Sequence, residues 1–241
     1  MTVSIDLPVP ARALAIGAHP DDIEFGCGAT LAKWATAGAE VTMCVCTDGS
    51  KGTWDRNADL GALVARRADE QRAAAAVLGA TGVRFLGLVD GELRDDPATR
   101  EALCRVIRET RPDVVITHDP WRAHRLHPDH GQAGHLVVGA VVAARDHHFF
   151  PGQGLEPHRP AHLLCFEPGR VDHVEAVSGF VDTKVEALLA HRSQWESTHG
   201  IAADPEREVE AFAARIHDRT RAAGIHAGLR AAEAFSRIDR L

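Results

Sequence analysis

Two short clusters bring together the residue types that bind a divalent cation and move protons. The first, His19-Pro20-Asp21-Asp22, closes a short apolar run, and the second, His127-Pro128-Asp129-His130, falls in the middle of the chain. Imidazole nitrogens and carboxylate oxygens are ligands of zinc and related cations, and a catalytic site takes three of them and leaves a position open for water. His19, Asp22 and His130 form such a set of two histidines and one carboxylate. Asp21 adjoins the ligand Asp22 but points elsewhere, so it can sit beside a water molecule and accept its proton as general base. His127, three residues before His130, can present a protonated imidazole to a developing oxyanion, with Asp129 orienting it. Either cluster alone reads as a helix-capping turn with solvated side chains. The cation reading depends on the two meeting in space.

The elements around them say that they do meet. Short β-branched runs alternate with helical periodicity: strand Arg12–Ala18, a helix over the stretch from Gly26 to Gly38, strand Glu40–Thr47, helix Leu60–Leu78, strand Val83–Leu88, helix Ala98–Thr110 and strand Asp113–Thr117. After a loop from His118 to His130 come a helix Gly131–Ala144, a Pro/Gly/His-rich connection, strand Ala161–Phe166 and a helix from Asp182 to about Trp195. Buried strands alternating with helices predict an α/β fold, a Rossmann-like, mostly parallel sheet with helices on both faces. The last stretch reads as a helical C-terminal extension, with Phe212, Ile216, Leu229 and Phe235 as packing positions. We expect a core over 1–170 and a C-terminal part over 171–241 packed on it as one compact unit. In a doubly wound sheet of order 3-2-1-4-5, the first and fourth strands flank the switch point, where ligands bind beyond the carboxyl ends. Each cluster follows one of those two strands.

Composition narrows the partners. The net charge of -7 offers no basic face for nucleic acid. No apolar run approaches the ~20 residues of a membrane span, and the N-terminus lacks a charged region followed by an apolar core. The five cysteines are odd in number, lack CxxC spacing and lie mostly in apolar stretches, which suits a reducing compartment. A cytoplasmic location, a small-molecule partner and no membrane or nucleic-acid partner are therefore expected; a homo-oligomer is left open. Gly26-Cys27-Gly28 lacks the third glycine of a dinucleotide fingerprint, and Asp146-His147-His148 ends a helix where a phosphoesterase motif would follow a strand.

On these residues the chain resembles the LmbE-like, or PIG-L, family of zinc N-deacetylases, whose hallmarks are an AHPDD segment and a later HPDH segment. Here they are Ala18-His19-Pro20-Asp21-Asp22 and His127-Pro128-Asp129-His130, and the likeness extends to Thr47-Asp48-Gly49, Arg67, Glu70, Asp90-Gly91 and Thr117-His118-Asp119-Pro120. The resemblance implies zinc held at His19, Asp22 and His130, with iron(II) as the alternative metal, a base at Asp21 and an oxyanion-stabilising residue at His127. It implies hydrolysis of an N-acetylglucosaminyl-type or related small amide. Arg67, Arg122 and His191 are candidate substrate contacts; His191 matches a histidine that the family carries near its site. Two departures stand out: Ile23-Glu24 replaces a glutamate directly after HPDD, and the chain has no tyrosine. His124 or Trp121 is the candidate for a tyrosine's place at the oxyanion site. Competing readings are a thiol-conjugate amidase, a non-haem Fe(II) oxygenase with the same ligand set, and a non-catalytic metal-binding module.

Overall fold

The computed structural model describes residues 3–225, 227–239 and 241. In chain order the elements are β1 (Ser4–Ile5), β2 (Arg12–Gly17), α1 (Asp22–Thr36), β3 (Glu40–Thr47), α2 (Leu60–Val77), β4 (Gly82–Leu88), α3 (Pro97–Thr110), β5 (Val114–His118), α4 (Pro128–Ala144), β6 (His162–Phe166), β7 (His173–Ala176), α5 (Val181–Leu189), α6 (Pro205–Ile225) and β8 (Ala232–Asp239). They build one open eight-stranded sheet, β1-β7-β8-β6-β5-β2-β3-β4. Every pairing is parallel except those of β8. The stretch β4-β3-β2-β5-β6 is the expected 3-2-1-4-5 order.

Side chains alternate between the faces of a strand, and here both faces are apolar. Ala13, Ala15, Val41, Met43 and Ile116 pack against Leu31 and Trp34 of α1 and Ala74 of α2. Leu14, Ile16, Cys44, Cys46 and Val115 pack on the opposite side against Leu103 and Ile107 of α3 and Leu136 and Val137 of α4. This double cover explains why the strands read as continuous apolar runs. It also accounts for the cysteines: all five are buried free thiols, and burial pushes Cys44 up to about 12. Among the described residues no helix is long and apolar enough to cross a membrane.

Three boundaries differ from the sequence reading. Helix α1 begins at Asp22 rather than near Gly26, with two acidic residues, Asp22 and Glu24, in its first turn, where the helix dipole favours them. Helix α4 begins at Pro128 rather than Gly131, because Pro128 fills the first helical position and His127 caps it through its side chain. The helix expected from Asp182 to Trp195 stops at Leu189 and continues as a 3-10 turn, Arg192–Gln194, and a π-helical turn, Trp195–His199.

The helical C-terminal segment is α6, but the chain then returns as β8, antiparallel between β6 and β7. Phe235, expected on a helix, therefore packs in the core beneath α1 as a strand residue. Glu233 of β8 also repairs a break in α1. Cys27 leaves helical geometry there (φ -148°), and the Glu233 carboxylate accepts the N–H groups of Ala29 (3.2 Å) and Thr30 (2.7 Å) and pairs with buried Lys184 at 2.5 Å.

Candidate active site

Strands β2 and β5 lie side by side, so their carboxyl ends deliver the two clusters to one place. After β2 the chain passes through Ala18, His19 and Pro20 into Asp21, whose backbone is left-handed (φ 95°, ψ -26°). A non-glycine residue holds that conformation only when its surroundings impose it. They do so from α2, where Arg67 and Gln71 stand one turn apart on the same face. Arg67 donates from Nη2 to Pro20 O (2.7 Å) and from Nη1 to Gly49 O (2.8 Å), while Gln71 Oε1 accepts the Asp21 N–H at 3.1 Å. Gln71 is itself tied to buried Glu24 at 2.5 Å. Gly49 must lack a side chain, since a Cβ there would fall 2.7 Å from the Arg67 guanidinium. Burial, opposed by Arg67 and reinforced by the charge of Asp22, pushes Asp21 up to about 6.

Asp22, the first residue of α1, is the hub. Its Oδ2 accepts the His19 N–H (2.7 Å) and lies 3.2 Å from His19 Nδ1 and from His118 Nε2; its Oδ1 lies 3.2 Å from His130 Nε2. Burial alone would raise this carboxyl, but His118 and His130 hold it well below the usual carboxylate range. The far nitrogen of His19, Nε2, faces Asp90 Oδ1 at 3.1 Å and Asp129 Oδ2 at 3.2 Å. Burial opposes a charge on His19, yet Asp129, Asp22 and Asp90 together push its pKa up to about 12. The field at this point is that of a cation site.

Three overlapping groups have donor atoms close enough to share one ion: His19, His127 and His130; Asp22, His118 and His130; and His19, Asp90 and Asp129. The set read from the sequence, His19, Asp22 and His130, draws on the first two and leaves His19 Nε2–H free to donate to Asp129 or Asp90. A carboxylate behind a ligating imidazole is how proteins orient such rings and fix their tautomer. The residues thus fit a divalent cation, and the third group reads as the support of the first ligand. Asp129 Oδ1, buried and without a partner, adds to the negative field there.

His127 stands at the mouth, edge-on to His19 (ring centroids 4.5 Å apart) and stacked on His130 (5.0 Å). Its Nδ1 accepts the Asp129 N–H at 3.3 Å, which leaves Nε2 to carry the proton. Burial and the neighbouring His19 and His130 lower its pKa. Asp129 meets His127 only through that backbone N–H. Its carboxylate turns instead to His19 and to the Gly91 N–H (2.7 Å), because the earlier start of α4 points it back toward β2 and β4.

The clusters line a cavity of 490 Å³ with Phe25, Lys51, Trp54, Arg67, Glu167, Gln194, Ser197, Thr198 and Arg219 among its other walls. Arg67 reaches it, although most of its guanidinium is committed to backbone. Arg122 lines a neighbouring cavity and pairs with Glu167 at 3.5 Å. His191 is fully buried behind Asp21, 3.5 Å from Glu24. Neither Trp121 nor His124 is part of the lining; Trp121 packs edge-on to His135 instead. Sequence reasoning gave no role to His118, Asp90 or Gln71. His118 and Asp90 stood in the quoted Thr117–Pro120 and Asp90-Gly91 stretches at strand ends, whereas Gln71 carried no local signal beyond its place one turn after Arg67.

The PIG-L family profile, described as GlcNAc-PI de-N-acetylase, matches residues 14–141. A diacetylchitobiose deacetylase of Thermococcus kodakarensis is 33% identical, across 76% of this chain and 70% of that protein. A 1D-myo-inositol 2-acetamido-2-deoxy-alpha-D-glucopyranoside deacetylase of Streptomyces scabiei is 32% identical, across 77% of this chain and 76% of that one. The solved structure of N,N'-diacetylchitobiose deacetylase from Pyrococcus horikoshii with an inhibitor superimposes with a TM-score of 0.86 at 27% identity, covering 95% of this chain and 84% of that chain.

Proposed function

The chain belongs to the PIG-L family of de-N-acetylases, and from that premise we propose that it is a metal-dependent amide hydrolase that removes the acetyl group from an N-acetylglucosaminyl-type compound. The observation that carries this reading is the convergence of His19, Asp22 and His130 on one cavity floor, with Asp21 and His127 beside them. Relatives act, by name, on diacetylchitobiose and on a glucosaminyl inositol.

Two imidazoles and a carboxylate suit zinc, and iron(II) accepts the same donors; we take zinc as the metal. A divalent ion held by His19, Asp22 and His130 supplies Lewis-acid polarisation of the acetamide carbonyl and a more acidic water. Asp21 accepts a proton from the attacking water. Its strained backbone, held by Arg67 and Gln71, keeps the carboxylate aimed at the cavity. The oxyanion that forms on the former carbonyl oxygen receives a hydrogen bond from His127 Nε2–H. As the C–N bond breaks, Asp21 returns its proton to the amine nitrogen. The products are acetate and a free amino sugar. Asp129 and Asp90 orient His19 throughout.

The reduced, buried cysteines support the cytoplasm as the compartment. The test is primary-amine release from a panel of N-acetylglucosamine derivatives, with chelator and with zinc restored. Chelator-sensitive release that zinc restores supports the reading; no release from protein holding one metal per chain overturns it.

A further inference from the structure

The floor and the rim of the cavity differ chemically. The floor is buried and charged: His19, Asp21 and Asp22 are at most 9% exposed. At the rim, on the loop between β3 and α2, Trp54 lines the same cavity while 72% of its surface is open to solvent. An isolated exposed aliphatic residue needs no explanation, but a large aromatic face left open at the mouth of a polar cavity does. Among the described residues no aromatic ring stacks on the indole and no guanidinium covers it.

The loop beneath the indole is fixed. Lys51 N–H donates to Asp90 Oδ2 (3.0 Å), on the carboxylate that faces His19. Gln194 Nε2 donates to Gly52 O (3.0 Å), Thr53 N–H to Lys51 O (2.9 Å) and Asp55 N–H to Thr53 Oγ1 (3.1 Å). The position of Trp54 is therefore set relative to the cation site through two hydrogen bonds and three residues of chain. The same cavity is lined by Ser197 and Thr198, whose hydroxyls donate to Gln194 Oε1 at 3.4 and 3.5 Å and keep their oxygen lone pairs to accept from a ligand hydroxyl. A ligand that covers the indole and donates to these oxygens needs an apolar C–H face and a hydroxylated edge, which is the chemistry of a pyranose or cyclitol ring. An acyl chain would offer these oxygens no donor.

We infer that Trp54 is a specificity-determining residue: it stacks a second, hydroxylated ring of the substrate while the ring bearing the acetamide occupies the floor. This inference rests on the deacetylase reading above and adds to it a residue that selects two-ring over one-ring substrates.

The experiment measures kcat and KM for N,N'-diacetylchitobiose and for N-acetylglucosamine with the zinc-loaded wild type, Trp54→Leu, Trp54→Phe and, as a control outside the cavity, Trp121→Leu. The wild type should prefer the two-ring substrate. Trp54→Leu should lower that preference about tenfold, through KM rather than kcat, since an aromatic contact of this kind contributes on the order of one tenfold step; Trp54→Phe and Trp121→Leu should retain most of it. Absence of a preference in the wild type, or an unchanged preference in Trp54→Leu, overturns the role of Trp54 while turnover upholds the deacetylase. If neither substrate is turned over, the deacetylase reading falls, and calorimetric binding of N,N'-diacetylchitobiose decides on Trp54 separately: about tenfold weaker binding to Trp54→Leu supports stacking, and equal binding overturns it.

Discussion

Gln71 and Asp21 meet at a single hydrogen bond, 3.1 Å from the Gln71 Oε1 to the Asp21 N–H, and it joins α2 to the most strained backbone at the site. The other end of the same amide is held by Glu24, so the left-handed turn at Asp21 is braced by a chain of buried polar groups. Gln71→Leu should leave the Asp21 N–H and Glu24 without that partner and let the carboxylate wander. We expect kcat to fall about 100-fold, as small misplacements of a catalytic group do, with metal content near that of the wild type. Paired kinetic and elemental measurements check this; an unchanged kcat would remove Gln71 from the support of Asp21.

Asp21→Asn keeps the shape of the side chain and removes its ability to take a proton. Amine release should drop by about 10²–10⁴-fold, the usual contribution of a positioned base, and the purified variant should still bind one zinc. Full activity would exclude Asp21 as the base.

Asp129 shares the outer nitrogen of His19 with Asp90. Replacing it with alanine removes one of two orienting carboxylates and frees the Gly91 N–H. Zinc affinity, read by competition with a coloured chelator, should weaken by about 10–100-fold. An affinity within twofold of the wild type would show that Asp90 alone orients the ring.

Lys184 and Glu233 form an ion pair with both side chains 3% exposed. Removing one partner leaves the other charge buried, and in Glu233→Ala the second segment of α1 also loses its cap at Ala29 and Thr30. Urea unfolding should show a loss of about 3–5 kcal/mol. A loss below about 1 kcal/mol, the range of exposed pairs, would mean that water reaches Lys184.

His199 is fully buried between Phe25 and Phe212. Burial, with His191 and Arg215 nearby, lowers its pKa to about 3. The folded value lies below that of the unfolded chain, about 6.5, so the unfolded state binds the extra proton. The contribution of this ring to stability is complete above pH of about 6.5 and is lost as pH falls toward 3, with a slope of up to about 1.4 kcal/mol per pH unit. His199→Phe should flatten the decline in unfolding free energy between those limits, and an identical decline in both proteins would assign it to other groups.

Much of this molecule is legible in its sequence for a local reason. Apolar runs such as Arg12–Gly17 alternate with helical periodicity, and that alternation leaves one economical sheet order, which sets the HPDD and HPDH clusters at adjacent strand ends. Their residue types and their place at strand ends are local properties, so His19, Asp22 and His130 are legible from the sequence as a candidate ligand set. Cap chemistry is local too, yet it competes with the reading of a loop: Pro128, inside the stretch read as a loop from His118 to His130, opens α4.

What the tertiary structure alone decided depends on residues far apart in the chain. Asp129 faces His19 rather than His127, Gln71 reaches Asp21 across 50 residues of sequence, and β8 enters the sheet because β6 and β7 each present an edge that another strand must pair. Trp54 became visible only when its loop was seen at the cavity rim. In each case the deciding quantity is a contact of a few ångströms between segments joined only through the sheet, and no residue pattern within either segment encodes it. The sequence determined which groups are brought to the carboxyl edge of the sheet; packing across that edge determined which of them touch.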